Sequence, residues 1–146
     1  MDERRLRREL VHLPVAINVL QGIADGVYQK NEILRLEVQL RSEVAGTPFY
    51  IISRALILAN SKGLINTDKI REEPTKPLND KDKDFIDALH QGLVNSQIKE
   101  NLGWKLEDIY RQRGRVFRAL EVSNYYQVVV WEARRRKIEK QRSEHV

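Results

Sequence analysis

The sequence predicts an all-α protein in which a four-helix C-terminal unit follows a small helical N-terminal module. Apolar residues recur three or four positions apart along almost the whole chain, and strand-like alternation is confined to one or two short pieces after Gly63. A polar stretch from Asn66 to Pro77 contains two prolines, which interrupt any helix. We therefore divide the chain into a module over residues 1–73, a domain over 78–141 and a frayed tail over 142–146.

The N-terminal module is expected to contain an arm and three further helices. Pro14 suits the first turn of the second helix, and Gly26 ends that helix. At the start of the fourth helix, Thr47 can accept a hydrogen bond from a free amide while Pro48 takes the first helical position. The predicted ranges are 2–11, 13–24, 30–43 and a last helix from Thr47–Pro48 to Gly63.

The C-terminal domain is predicted to have four helices, each with a recognisable start or stop signal. Gly92 ends the first helix and Gly103 ends the second, whereas Asn95 and Ser123 are placed to cap the second and the fourth. The predicted ranges are 80–91, 95–102, 106–120 and 123–141.

Composition argues against several classes of function. The chain has no cysteine, which excludes disulfides, thiol nucleophiles and cysteine-based zinc sites. His12, His90 and His145 are isolated, and no glycine-rich phosphate loop precedes a helix. We therefore expect no catalytic residue, no metal and no cofactor. Since no apolar run approaches the roughly 18 residues of a membrane span, we expect a soluble, cytoplasmic protein without a membrane partner.

Basic residues form three clusters, although the net charge is only +5. The clusters run from Arg4 to Arg8, from Arg111 to Arg118 and from Arg134 to Arg142. Charge runs of this kind are usually solvated helix faces, and we favour that interpretation for the first and the last cluster. The middle cluster carries the functional prediction.

The helix over residues 106–120 is predicted to have one apolar and one cationic face. A turn at Gly103 joins it to a shorter helix, as in a helix-turn-helix, where the second helix enters the major groove and the first braces it. At about 100° per residue, the apolar stripe comprises Leu106, Ile109, Val116 and Leu120. The opposite face comprises Glu107, Arg111, Gly114, Arg115 and Arg118.

Two ungapped stretches before this helix are informative: Leu78-Asn79-Asp80-Lys81-Asp82-Lys83-Asp84-Phe85-Ile86, and Leu89 to Gly103 with Gly92-Leu93-Val94-Asn95-Ser96-Gln97-Ile98 inside it. They resemble the LuxR/GerE helix-turn-helix family, in which Leu-Thr-x-Arg-Glu-x-Glu-Val-Leu leads to Gly-Leu-Ser-Asn-Lys-Glu-Ile-Ala and then to Leu-Gly. The resemblance covers residues 78–141 and continues through Ile109, Val116, Arg118, Leu120, Val122-Ser123-Asn124 and Gln127-Val128-Val129.

The resemblance implies that helix 106–120 is the recognition helix and that its exposed face contacts DNA. The predicted DNA-binding residues are Glu107, Tyr110, Arg111, Gly114, Arg115 and Arg118, with the three arginines as the main contacts. Arginine can bond a guanine edge through two N–H groups or lie on a phosphate, and the sequence leaves open which arginine does which. Tyr110 stands where the family often has lysine.

Several positions in this region allow two interpretations. Gly114 either lets DNA approach the helix backbone closely or relieves crowding against a neighbouring helix. Glu107 either accepts a hydrogen bond from cytosine or interacts with the positive end of the helix dipole, and we favour the dipole interaction. Lys105 replaces the family's capping serine or threonine, and Lys99 replaces a small alanine. Asp108 is a candidate substitute anion for the first turn.

The last helix carries more apolar surface than a small domain needs for its own core. In the LuxR/GerE family this helix commonly forms the dimer contact, so the resemblance implies a homodimer. We predict an interface at Tyr126, Val130 and Trp131, and packing against the domain's own helices has equal weight for Val130.

The N-terminal half, from Val15 to Ile65, has an outline that resembles winged-helix regulators. The helix in the recognition position, Phe49 to Ala59, is apolar nearly all round and offers one arginine, which is typical of a buried or interface helix. We therefore favour a scaffold or oligomerisation module over a second DNA-reading unit.

Together these features predict a sequence-specific transcription regulator that binds double-stranded DNA as a dimer through helix 106–120. The alternative is a protein-interaction module, in particular an RNA-polymerase-associated factor, because the promoter-reading part of sigma factors has a similar fold.

Overall fold

The computed structural model describes residues 4–6, 8, 14–27, 29–41 and 44–144. Residues 4–6 and 8 are helical, and no strand occurs in the described ranges, which confirms the predicted all-α class. Seven helices with complete bounds follow in chain order: α1 (Pro14–Ala24), α2 (Lys30–Leu40), α3 (Pro48–Ser61), α4 (Asp80–His90), α5 (Asn95–Leu102), α6 (Leu106–Leu120) and α7 (Tyr125–Glu144).

Helix α3 lies at the centre of the N-terminal half. Thr47 caps it as predicted, since its hydroxyl oxygen accepts a hydrogen bond from the Tyr50 backbone N–H at 3.1 Å. Ile51, Ile52 and Leu56 are completely buried. Because a groove-reading helix must expose a face, this burial is inconsistent with a winged-helix recognition role for α3 and agrees with the favoured scaffold interpretation.

One hydrophobic core runs through both halves of the chain. Helix α7 packs against α1, α3 and α4, so the predicted N-terminal module and C-terminal domain are not separate bodies. The polar segment between the halves also contacts the C-terminal half, because the Thr75 N–H donates to the Ala119 carbonyl at 2.7 Å. The predicted boundary is therefore a connection across a shared core.

The third basic cluster fixes this arrangement and is only partly a solvated face. Arg134 donates from one guanidinium nitrogen to the backbone carbonyls of Ile70 at 2.6 Å and Thr67 at 3.2 Å. Lys137 donates to the Asn60 carbonyl at 3.0 Å, near the end of α3. Both side chains satisfy carbonyl groups of the N-terminal half, which corrects the prediction that this cluster faces solvent.

The ends of α7 differ from the sequence prediction. Asn124 caps the helix where Ser123 was expected, because its side-chain oxygen accepts from the Gln127 N–H at 3.0 Å. The helix continues to Glu144, so residues 142–144 of the predicted frayed tail are helical. Residues 145 and 146, like most of the predicted arm over 2–11, lie outside the described residues.

Candidate nucleic-acid interface

A short turn at Gly103 joins α5 to α6 at the predicted position. Gly103 ends α5 with φ of 67°, a left-handed conformation that glycine adopts without a steric penalty. Ile98 of α5 is completely buried, whereas Lys99 is exposed. Lysine at the position where the LuxR/GerE family has a small residue therefore projects into solvent and leaves the joint uncrowded.

The first turn of α6 is capped by an acidic side chain. Asp108 accepts a hydrogen bond from the Lys105 backbone N–H at 3.3 Å and so satisfies the amide of the N-cap residue, whereas a serine or threonine at position 105 would accept from an amide of the first turn. Its other carboxylate oxygen lies 3.7 Å from a guanidinium nitrogen of Arg111. This carboxylate therefore both starts α6 and orients one of the predicted DNA-binding arginines.

The buried face of α6 follows the predicted stripe at three of four positions. Ile109, Val116 and Leu120 are completely buried, but Leu106 is 43% exposed. Leu106 is the first residue of the helix and lies beyond the edge of the neighbouring core, so its predicted burial is wrong. Gln112 occupies the buried stripe instead.

Gln112 connects α6 to the capping group of α4. Asp82 closes the first turn of α4 by accepting from the Asn79 N–H at 3.0 Å, and its second oxygen accepts from the Gln112 side-chain amide. The same oxygen lies 3.5 Å from Nε of Arg115. Since the Asp82 side chain is only 4% exposed, these partners compensate for the removal of a carboxylate from water.

The predicted cationic face of α6 is exposed to solvent. The Arg111 and Arg115 side chains are 72% and 51% exposed, and Glu107 and Arg118 are exposed as well. Arg115 also balances the buried Asp82, so it has a structural contact that the sequence analysis did not predict. Arg111 and Arg118 are therefore the arginines most available to a ligand.

Gly114 lies in this face beside the end of the Arg118 side chain. A methyl group at its Cα would have only the guanidinium of Arg118 as a neighbour, at 3.4 Å. No neighbouring helix approaches within 4 Å in the described structure. The crowding interpretation of Gly114 is therefore wrong.

Tyr110 lies at the edge of the cationic face and is 46% exposed. The guanidinium of Arg113 lies 4.9 Å from the centre of its ring, in cation–π contact. Phe117 follows at the same helical spacing and contacts Tyr125 of α7, with ring centroids 5.7 Å apart. A stripe of alternating aromatic and basic character, with Tyr110 and Arg113 exposed and Phe117 half-buried, therefore adjoins the cationic face. This stripe was not predicted, although the helical spacing of the three residues was available as a signal.

Two of the three predicted dimer residues lie in the core. Val130 is completely buried and Trp131 is 4% exposed, because α7 packs between α3 and α4. They cannot contact a second subunit, and their assignment to a dimer interface is corrected. Tyr126 is half-buried and contacts Phe49 of α3, with ring centroids 5.2 Å apart.

Within the described residues, no group of three metal-ligating side chains comes together, and no helix combines the length and apolar character that crossing a membrane requires. His90 is half-buried at the end of α4. Burial, with Arg136 and Arg54 acting in the same direction, lowers the pKa of His90 to about 4.

No protein-family model, curated protein or solved structure matches the chain. Only the residues and the geometry of α5, α6 and their neighbours therefore bear on the function of the chain.

Proposed function

We propose that the chain is a sequence-specific transcription regulator that binds double-stranded DNA through α6. The observation that carries the proposal is the division of α6 into a buried aliphatic side and an exposed side with Arg111, Arg115 and Arg118. An α-helix of this length fits the major groove, and arginine can bond both guanine edges and phosphates. Tyr110 adds a ring and a hydroxyl at the edge of the same surface.

The local geometry supports the proposal in two further ways. Gly103 sets a turn between a bracing helix of eight residues and a second helix of fifteen. Gly114 leaves the middle of the cationic face without a side chain, so a phosphate backbone can approach the helix there. The negative charge of Glu107, at the exposed start of α6, interacts favourably with the positive end of the helix dipole and need not contact a base.

The best test removes Arg111 and Arg118 together, because Arg115 also neutralises the buried Asp82. We expect the R111A/R118A double variant to lose duplex binding at moderate salt while keeping its helix content and unfolding midpoint. Binding is measured by fluorescence anisotropy over a series of salt concentrations. Each lost phosphate contact should lower the slope of log affinity against log salt by about one.

A matched control removes the same charge from another surface. Lys30 and Arg35 are exposed on α2, far along the chain from the recognition helix. The K30A/R35A double variant should bind DNA with nearly unchanged affinity and salt slope. Equal losses in the two double variants would show that only net charge matters, and an unchanged R111A/R118A variant would reject α6 as the DNA-reading element.

Selection of bound sequences from random duplexes tests sequence specificity and oligomeric state together. A palindrome with half-sites about one helical turn apart would indicate that two copies bind, as expected for the predicted homodimer. Because Val130 and Trp131 are buried, any dimer must use another surface. Recovery of no preferred sequence would overturn the proposed specificity.

A further inference from the structure

A cleft of about 600 Å³ opens between α3, α6 and the start of α7. Its walls carry four aromatic side chains from three helices, together with one arginine: Phe49, Phe117, Tyr125, Tyr126 and Arg113. All four rings are half-buried, so each contributes to the core on one side and to the cleft on the other. The cleft is open to solvent along the edge of the proposed DNA-binding face.

The rings are held in fixed positions by each other. Phe49 lies 5.2 Å from Tyr126 and 6.1 Å from Tyr125, and Tyr125 also contacts Phe85 of α4 at 6.0 Å, as measured between ring centroids. The Tyr125 hydroxyl donates to the side-chain oxygen of Asn95 at 3.0 Å. Because these contacts come from several helices, the cleft is preformed and a flat ligand can enter without rearranging the core.

The charge around the cleft favours an anionic ligand. Arg113 is exposed, and no carboxylate of the described residues lies within ion-pairing distance of it; its described contacts are the Tyr110 ring and a side-chain hydrogen bond to Tyr125. The described lining of the cleft includes no acidic side chain. Arg111 and Arg118 lie on the adjoining stripe of α6, so one polyanion can contact both surfaces at once.

We propose that this cleft binds unstacked bases of a single-stranded DNA extension that continues from the duplex held by α6. Every base has a flat face that can stack on an aromatic ring, and arginine beside the ring attracts the connecting phosphate. The inference rests on the proposed function, because the duplex on α6 brings the extension to the cleft. The preferred target is then a junction between duplex and single strand.

The experiment compares four labelled ligands of mixed sequence at low salt: a blunt duplex, the same duplex with a short thymine extension at a 5′ end, the same duplex with that extension at a 3′ end, and the free single strand. A second set carries 2-aminopurine in the extension, whose fluorescence is quenched when it stacks on an aromatic ring. We expect one extended duplex to bind about 5- to 30-fold more tightly than the blunt duplex, with quenching of the extension.

Two substitutions remove rings from different helices of the cleft. F117L and F49L keep apolar bulk, and unfolding curves check that both variants fold. Each variant should lose the additional affinity for the extended duplex and should no longer quench 2-aminopurine. Its affinity for the blunt duplex should stay as in the parent chain. L34A, at an exposed apolar position on α2, is the control and should keep the full gain.

The outcomes separate this inference from the proposed function. Equal affinity for blunt and extended duplexes, or unchanged quenching in both leucine variants, would overturn the cleft as a base-binding site and leave duplex binding by α6 standing. Quenching of the single strand without any binding of the blunt duplex would support the cleft and overturn the proposed duplex-reading function.

Discussion

The side-chain amide of Gln112 donates a hydrogen bond to the carboxylate of Asp82, and this bond joins α6 to α4. Both residues are buried. The orientation of the cationic face of α6 therefore depends on a polar contact inside the core as well as on aliphatic packing.

The Q112L variant is expected to lose about 1–3 kcal/mol of unfolding free energy. Leucine fills a similar volume but leaves an oxygen of buried Asp82 without its closest donor, and such a loss costs the desolvation energy of the acceptor. Urea unfolding measures the change. Q39L, on the exposed side of α2, is the control and should change stability by less than about 0.5 kcal/mol.

The G114A variant is expected to gain about 0.5–1 kcal/mol of stability, because alanine is the better residue inside a helix and its methyl group meets only the flexible end of Arg118. If DNA approaches the helix backbone at this position, the same variant should bind duplex more weakly. A destabilised G114A variant would show that the Arg118 guanidinium does not move aside for the added methyl group.

The G92A variant is expected to behave in the opposite way and to lose at least about 1–3 kcal/mol. Gly92 has φ of 83°, and a methyl group at its Cα would lie 2.6 Å from the ring of Tyr50 and 3.1 Å from the Tyr50 backbone. Thermal unfolding of the two alanine variants side by side is the measurement. A neutral G92A variant would show that Tyr50 does not pack on this turn.

His90 should make the protein less stable as the pH falls from about 6.5 to 4. Its pKa is about 4 in the folded chain, mainly because of burial, and about 6.5 when unfolded, so the unfolded state binds more protons across that window. Since His90 is partly exposed, we expect a loss of about 1–2 kcal/mol. Urea unfolding at pH 7 and pH 4.5 gives the difference, and H90Q should reduce it; an equal pH dependence in H90Q would assign the effect to other groups.

The W131A variant tests the corrected role of the last helix. Trp131 is buried in the core of a single chain, so its removal should cost about 3–5 kcal/mol by leaving a cavity. The loss should be the same at low and high protein concentration. A midpoint that shifts with concentration in the parent chain and not in the variant would instead place Trp131 between subunits.

The fold class and most helix bounds could be predicted from local signals. The apolar spacing, Gly103 and the Thr47–Pro48 pair specify helices whatever surrounds them, and α5 and α6 have the predicted bounds. The exposed arginines of α6 also follow from the helical period. Leu106 was predicted wrongly because periodicity gives the face of a residue and does not tell how far the neighbouring core extends.

The set of helices and the two-sided character of α6 are therefore encoded locally, since both depend on interactions within a few residues. The position of α7 between α3 and α4 is a property of the whole fold, and it buries Val130 and Trp131 and brings four rings from three helices into one cleft. The physical reason is that an apolar residue gains the same free energy from burial against its own chain or against a partner, so its type does not specify what covers it.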